Sequence, residues 1–343
     1  MSNFNLYFGE TSDKDWQAFA GTQGLANIFH QQAWSQLLQA CYGYRPFVIS
    51  LRDADGTIYA AIPMMEVDHI FRNRRWVSLP FSDHCAPLSS DPAALICMTD
   101  LIGCLAARST SPAIEIRWDL SGANRPPDYV LHTLSLDHNF DKVGSAIHHS
   151  HLRNVRAAQA NGIKIRHGVG QEELSVFYNL HLQTRRRLGV PVQPVNYFNL
   201  LNELVLKKGF GFISLAYHGA ECLAGAIFLY WKNTLTYKYG ASTLSGLSLR
   251  PNHLIFWDAI QWGCENGYSR LDFGRTDCEN DGLRTFKSRW GASEIPLRYC
   301  SFPAQKHQPI RAGLLMQTIN TLIRKSPTWV GRLGGEIYYR HIG

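Results

Sequence analysis

The sequence predicts an α/β (α+β) protein made of two successive units, each a mixed sheet flanked by helices. Three observations predict it. Helix-like and strand-like apolar periods alternate along the chain rather than segregating. Two regions share a faint echo: Ile49-Ser50-Leu51 precedes Ala61-Ile62, and Ile213-Ser214-Leu215 precedes Ala226-Ile227, each pair flanking a hairpin turn. Such an echo supports a duplicated unit. Finally, 343 residues at 45% hydrophobic and 18% charged suit two domains with large cores.

The elements follow in order. Residues 30–42, HQQAWSQLLQACY, place Ala33, Trp34, Leu37, Leu38 and Cys41 at helical spacing. PFVISLRDADGTIYAAIPMMEV reads as strand, Asp-Gly turn, strand. Further strands are expected at Trp76–Phe81 and Ala113–Leu120, with a helix over 92–107 between them and a loop over 121–128. The second pass opens near residue 145. Helices are expected over His151–Gly162, Glu172–Gly189 and in VNYFNLLNELVLKKG, then a hairpin in GFISLAYHGAECLAGAIFLYW. TLTYKYGAS should be a strand that alternates Leu235, Tyr237 and Tyr239 on one face. A helix (PNHLIFWDAIQWGCENG), a strand (RLDFG), a helix (GLRTFKSRWG) and a strand (PLRYCSF) complete it. The strand–helix–strand part is a right-handed crossover, which puts the loop before its helix at the carboxyl end of a strand, where α/β sheets place ligands. The expected divisions are residues 1–144, 145–305, and a helix with a basic tail over 306–343.

A net charge of +7 and a pI near 9.0 favour an acidic partner: phosphate, nucleic acid or an anionic membrane. The start of the chain has no apolar signal segment, and no apolar run approaches the roughly 18 residues needed to span a bilayer. The eight cysteines include no Cys-x-x-Cys pair, so a reducing, cytoplasmic setting is expected. His148, His149 and His151 lack a partnering carboxylate or cysteine motif, and no metal is expected. No Gly-x-Ser-x-Gly nucleophile motif occurs.

The stretches YKYGAS, RPNHLIFWDAIQWGCENGY, LDFGRT and GLRTFKSRWGA, with LRNVRAAQANGIKIR and YNLHLQTRRRLGVP upstream, resemble the FemAB type of GNAT-superfamily acyltransferase. The resemblance spans about residues 148–292 and implies tandem GNAT-like domains. It implies transfer of an aminoacyl group from charged tRNA to an amine of a lipid- or UDP-linked cell-wall precursor, with no tightly bound cofactor. Related proteins beside exopolysaccharide genes leave other acyl donors open. Acetyl-CoA-using members carry a Gly-x-Gly-type loop at the crossover helix. Here that place holds Leu247-Ser248-Leu249-Arg250-Pro251-Asn252, and Pro251 removes an N–H donor. CoA held in the usual way is therefore disfavoured. The long helical hairpin with which some members bind tRNA is absent from the sequence.

By that resemblance Lys287 lies near the transferred group and stabilises the oxyanion. Asp272 would orient or deprotonate the amine, or else bond backbone N–H groups or Arg275. Arg153 and Arg156, three apart on one helix, would meet the acceptor's diphosphate. Arg250, Asn252, Arg275, Tyr237 and Tyr239 complete the substrate-contacting candidates. Two alternatives stand beside this reading: an acyl-CoA-dependent N-acyltransferase of exopolysaccharide or lipid synthesis, and a non-catalytic tRNA- or RNA-binding module. A peripheral contact with the inner face of the membrane is compatible with all three.

Overall fold

The computed structural model describes residues 4–69, 72–120, 125–303 and 339. Contacts divide the chain into two compact units. Among the described residues, one holds the chain up to Tyr129, the stretch 296–303 and Tyr339; the other holds Val130–Ile295. The expected C-terminal helix and basic tail lie outside the described residues, Tyr339 apart.

The first unit contains β1 (Asn5–Gly9), α1 (Lys14–Thr22), α2 (Gln32–Tyr42), β2 (Arg45–Arg52), β3 (Ile58–His69), β4 (Arg72–Val77), β5 (Leu88–Ser89), α3 (Pro92–Ala106) and β6 (Ala113–Ile116). The expected hairpin is β2–β3, antiparallel, with Ile49 opposite Ile62. Ile49, Leu51, Ala60 and Ile62 pack against Met98 and Ile102 of α3. The strand expected over 76–81 ends at Val77. Leu79 and Phe81 take φ of 54° and 61°, which no strand accommodates.

The second unit contains β7 (Tyr129–Ser135), α4 (Phe140–Ser145), α5 (His149–Ala160), β8 (Ile163–Gly168), α6 (Gln171–Leu188), α7 (Val195–Leu201), β9 (Gly211–His218), β10 (Glu221–Trp231), β11 (Thr234–Ser242), α8 (Pro251–Glu265), β12 (Arg270–Asp277), α9 (Asp281–Ser288) and β13 (Ser293–Leu297). Helix α7 continues as a π-helical stretch, Asn202–Phe210. The sheet order is β13-β7-β12-β11-β10-β9-β8. Strand β7 lies between β12 and β13, which explains why the unit begins at Val130 and not near residue 145. The strand expected in PLRYCSF is two strands. β13 closes this sheet, and β14 (Cys300–Phe302) pairs with β6 in the other. Between them the Tyr299 N–H donates to the Asp128 carboxylate instead of a strand neighbour.

Helices cover both faces of the second sheet. Val155 and Ala158 of α5 and Leu254, Ile255 and Ala259 of α8 pack with Phe228 and Leu235 on one face. Helix α6 lies over β9, β10 and β11 on the other. Strands β8 to β11 run antiparallel in turn, whereas β11 and β12 are parallel and joined through α8, the crossover the sequence predicts.

Candidate functional site

The site begins with a ladder that stops early. β11 and β12 pair only at Thr234↔Arg270, Leu235↔Leu271 and Thr236↔Asp272. Both strands run on, β11 to Ser242 and β12 to Asp277. Their carboxyl ends therefore part, leaving a split walled by strand backbone.

Each wall carries its own irregularity. On β11, Phe228 faces Tyr237 and Ile227 faces Tyr239, so Lys238 is an extra residue, a β-bulge. On β12, Gly274 takes φ of 70°, a left-handed conformation suited to glycine. The Gly274 N–H donates to Asp272 Oδ1 at 2.7 Å. Asp272 is buried, and this bond makes it a turn-forming carboxylate, one of the two readings its sequence position allowed.

The bulge corrects the expected alternation. Paired residues share a face, so Tyr237 points with Phe228 and Tyr239 points with Ile227, on opposite sides of the sheet. Tyr237 packs on Phe228 and Phe256, and burial pushes its phenol up to about 12. Its hydroxyl crosses β11 over Gly240, where a Cβ would sit 1.8 Å from the oxygen. Tyr239 joins the α6–α7 side. Its hydroxyl donates to Tyr197 at 2.9 Å and accepts from Gln193 at 3.2 Å. His181 Nε2 lies 3.4 Å from Gln193 Oε1, and burial, then the nearby Arg185 charge, pushes this imidazole down to about 3.

Lys287 reaches the β12 wall from α9 and is 4% exposed. Its ammonium donates to Gly274 O at 2.9 Å, Arg275 O at 3.2 Å and Thr276 Oγ1 at 2.8 Å. Successive carbonyls of a regular strand point to opposite sides. The left-handed Gly274 brings two of them to one cation. Lys287 is therefore not a solvated lysine on a helix face, and a buried positive charge stands just past the last β11–β12 pair.

The other candidates are more scattered. Arg153 and Arg156 are exposed on α5. Their helix is tied to the start of α8 by Asn154 Nδ2 and His253 Nε2, 3.1 Å apart. Arg250 is exposed, takes φ of 62°, and precedes Pro251 without giving α8 a side-chain cap. Asn252 is half-buried in the first turn of α8, and Arg275 is half-buried on β12. The three histidines have different partners. His148 Nδ1 accepts from the Ser150 N–H, His149 packs on His148, and His151 Nε2 bonds Phe286 O. Among the described residues no group of three or more His, Cys, Asp or Glu is placed to hold a metal.

Sequence reading did not single out Thr276, His132, Glu294 or Gly240. His132 had a visible signal, being a lone imidazole in the apolar strand YVLHTLS. No periodicity singles out the others, which gain these neighbours only in the folded chain.

Residues 148–288 match the acetyltransferase (GNAT) domain, a span that contains the split, Lys287 and the arginine-bearing α5. Over that span the chain carries a GNAT acyltransferase domain. A lipid II:glycine glycyltransferase of Staphylococcus epidermidis is 35% identical over 75 residues, 20% of this chain and 18% of the relative. That of Staphylococcus saprophyticus is 36% identical over 75 residues. This chain thus matches less than a fifth of those relatives' length. Among solved structures, FemX has 15% identity and a TM-score of 0.67, covering 93% of this chain and 100% of FemX. L-PGS from Bacillus licheniformis has 15% identity and a TM-score of 0.53, covering 93% and 99%. Both likenesses establish the fold, two mixed sheets flanked by helices.

The buried His181 yields a test. Its folded pKa is depressed, so the unfolded chain binds the proton first. Its stabilisation is complete above the ordinary imidazole value and is lost as pH falls from there to about 3. Urea unfolding should show wild-type stability dropping more steeply than that of His181→Phe, by about 1.4 kcal/mol per pH unit in that window. Equal slopes would refute a neutral buried imidazole.

Proposed function

We propose that this chain transfers an aminoacyl group from charged tRNA to a primary amine of a lipid- or UDP-linked cell-envelope precursor. The observation that carries the proposal is the split between β11 and β12 with the Lys287 ammonium on its wall, inside the span that matches the GNAT domain. The glycyltransferase relatives, which by name act on lipid II with glycine, support the aminoacyl donor and the envelope acceptor.

In this mechanism the amine lone pair attacks the acyl carbonyl carbon. The carbonyl electrons move onto oxygen, and the buried positive charge of Lys287 stabilises that oxyanion in a place water reaches poorly. The bond from carbon to the ribose oxygen then breaks and the amide remains. The proton lost by the amine balances the one gained by the ribose hydroxyl. No covalent enzyme intermediate forms. Asp272 acts as a positioning residue, because its carboxylate sets the left-handed Gly274 and through it the carbonyls that hold Lys287.

A tRNA donor is supported by the loop at α8, which offers no glycine pair and starts its helix with Pro251. Arg153 and Arg156 would take the acceptor's diphosphate by charge-assisted bonds. Acyl-CoA transfer and plain RNA binding are the competing outcomes.

A lipid-linked acceptor implies contact with a membrane surface, and the turn before α8 supports one. Ser245–Leu249 is a 3₁₀ turn, with Leu247 N–H bonded to Leu244 O and Arg250 N–H to Leu247 O. Residues three apart eclipse in such a turn, so Leu244, Leu247 and Arg250 share one edge. Leu244 is 69% and Leu247 39% exposed. Two leucines beside a guanidinium suit an anionic bilayer. Among the described residues no helix is long and apolar enough to cross a membrane.

Lys287→Met should lower transfer from glycyl-tRNA to a lipid-linked pentapeptide about 10²- to 10³-fold. Unchanged transfer would reject the mechanism, and transfer from acetyl-CoA instead would reject the donor. Leu244→Ser with Leu247→Ser should weaken sedimentation with phosphatidylglycerol vesicles and leave the unfolding midpoint unchanged. Equal binding by wild type and the double variant would reject the membrane edge.

A further inference from the structure

We propose that His132 is the inner link of a proton path joining the Lys287 ammonium to the surface groove at Glu294, so that this lysine exchanges protons with water without using the β11–β12 split.

The path is continuous. Lys287 Nζ donates to Thr276 Oγ1 at 2.8 Å, Thr276 Oγ1 lies 3.4 Å from His132 Nδ1, and His132 Nε2 lies 3.1 Å from Glu294 Oε1. Arg284 then grips the carboxylate, Nε to Oε1 at 3.1 Å and Nη2 to Oε2 at 2.8 Å. The directions are mutually consistent. Lys287 gives a hydrogen to the threonine oxygen, so the threonine hydroxyl is free to donate to Nδ1. A neutral imidazole that accepts at Nδ1 donates from Nε2, here to a carboxylate.

The residues of the path stand on four elements. His132 is on β7, Thr276 on β12, Lys287 and Arg284 on α9, and Glu294 on β13. Lys287 and Glu294 are the charged groups that act on the imidazole, which also has a backbone hydrogen bond at Val130. The inner links are buried: His132 is 0%, Thr276 2% and Lys287 4% exposed. The far end is open, because Glu294, Arg284 and Ser288 line a groove of about 550 Å³. Burial first, then the Lys287 charge, holds the His132 pKa below its usual value. Arg284 holds the Glu294 carboxyl below its usual range, so a proton arriving there passes to water.

The step balances. Lys287 releases a proton to Thr276 Oγ1, Thr276 releases its own to His132 Nδ1, and His132 releases the Nε2 proton to Glu294. Three bonds to hydrogen break and three form, leaving a neutral amine inside and a protonated carboxyl at the groove. Run in reverse, the path recharges Lys287. With an acyl donor and acceptor filling the split, this is the route by which a Lys287 that has lost a proton is recharged, so that it carries the positive charge the oxyanion needs. That consequence rests on the proposed transfer reaction; the path itself does not.

The test therefore uses no substrate. In protein labelled with ¹⁵N-lysine, solvent exchange of the Lys287 ammonium protons is followed by NMR, the signal being assigned by its loss in Lys287→Arg. Glu294→Gln keeps His132 and its packing but removes the outer acceptor, and His132→Gln keeps a donor and an acceptor but cannot relay. The path predicts exchange slowed roughly 10²-fold in both, the scale of a positioned proton carrier. Unchanged or faster exchange in Glu294→Gln, at an unfolding midpoint like that of wild type, would overturn it. That failure would leave the acyl-transfer proposal standing, because no transfer is measured.

Discussion

One buried ammonium holding two consecutive carbonyls of the same strand is the constraint on which the site depends. A cation at that depth needs its hydrogens matched, since unpaired buried charge is strongly unfavourable. Gly274 supplies the match by turning left-handed, and Asp272 supplies the turn by accepting the Gly274 N–H. The same turn takes β12 out of register with β11 after three pairs. Cation, glycine and carboxylate therefore work as one device. It opens the sheet and charges the wall of the opening at once.

The β11 wall is opened by different means. There the extra Lys238 rotates the strand, sending Tyr237 and Tyr239 to opposite faces. Aromatic packing then secures each: Phe228 and Phe256 for the first, Phe198 and Tyr197 for the second. Because both phenols are held in this way, the split is pre-formed. A reactant entering it would meet fixed backbone groups and a fixed charge, the preorganisation that makes electrostatic catalysis effective.

Much of the layout was legible in the sequence, and the reasons are local. The β2–β3 and β9–β10 hairpins announced themselves by apolar runs around a turn, and α8 by Pro251 followed by a long apolar stretch. The motif drew attention to Lys287 but not to its burial. What failed did so where a single residue breaks a period: Lys238 reversed the expected face of Tyr239, and positive φ at Leu79 and Phe81 cut a strand short. The division of PLRYCSF between two sheets depends on Asp128, distant in sequence. His132, Thr276 and Glu294 come from three strands, so their alignment exists only after folding.

The central claim is that the reacting acyl group sits between β11 and β12. Its most direct test is an NMR titration with a short 3′-glycylamino-adenosine RNA, a stable mimic of the charged tRNA end, reading backbone amide shifts. The claim predicts that Gly240, Gly274 and Arg275 move while Asn179, Gln183 and Glu221, which line a separate groove beside α6, do not. Shifts centred on that groove, with the amides of the split unmoved, would contradict it.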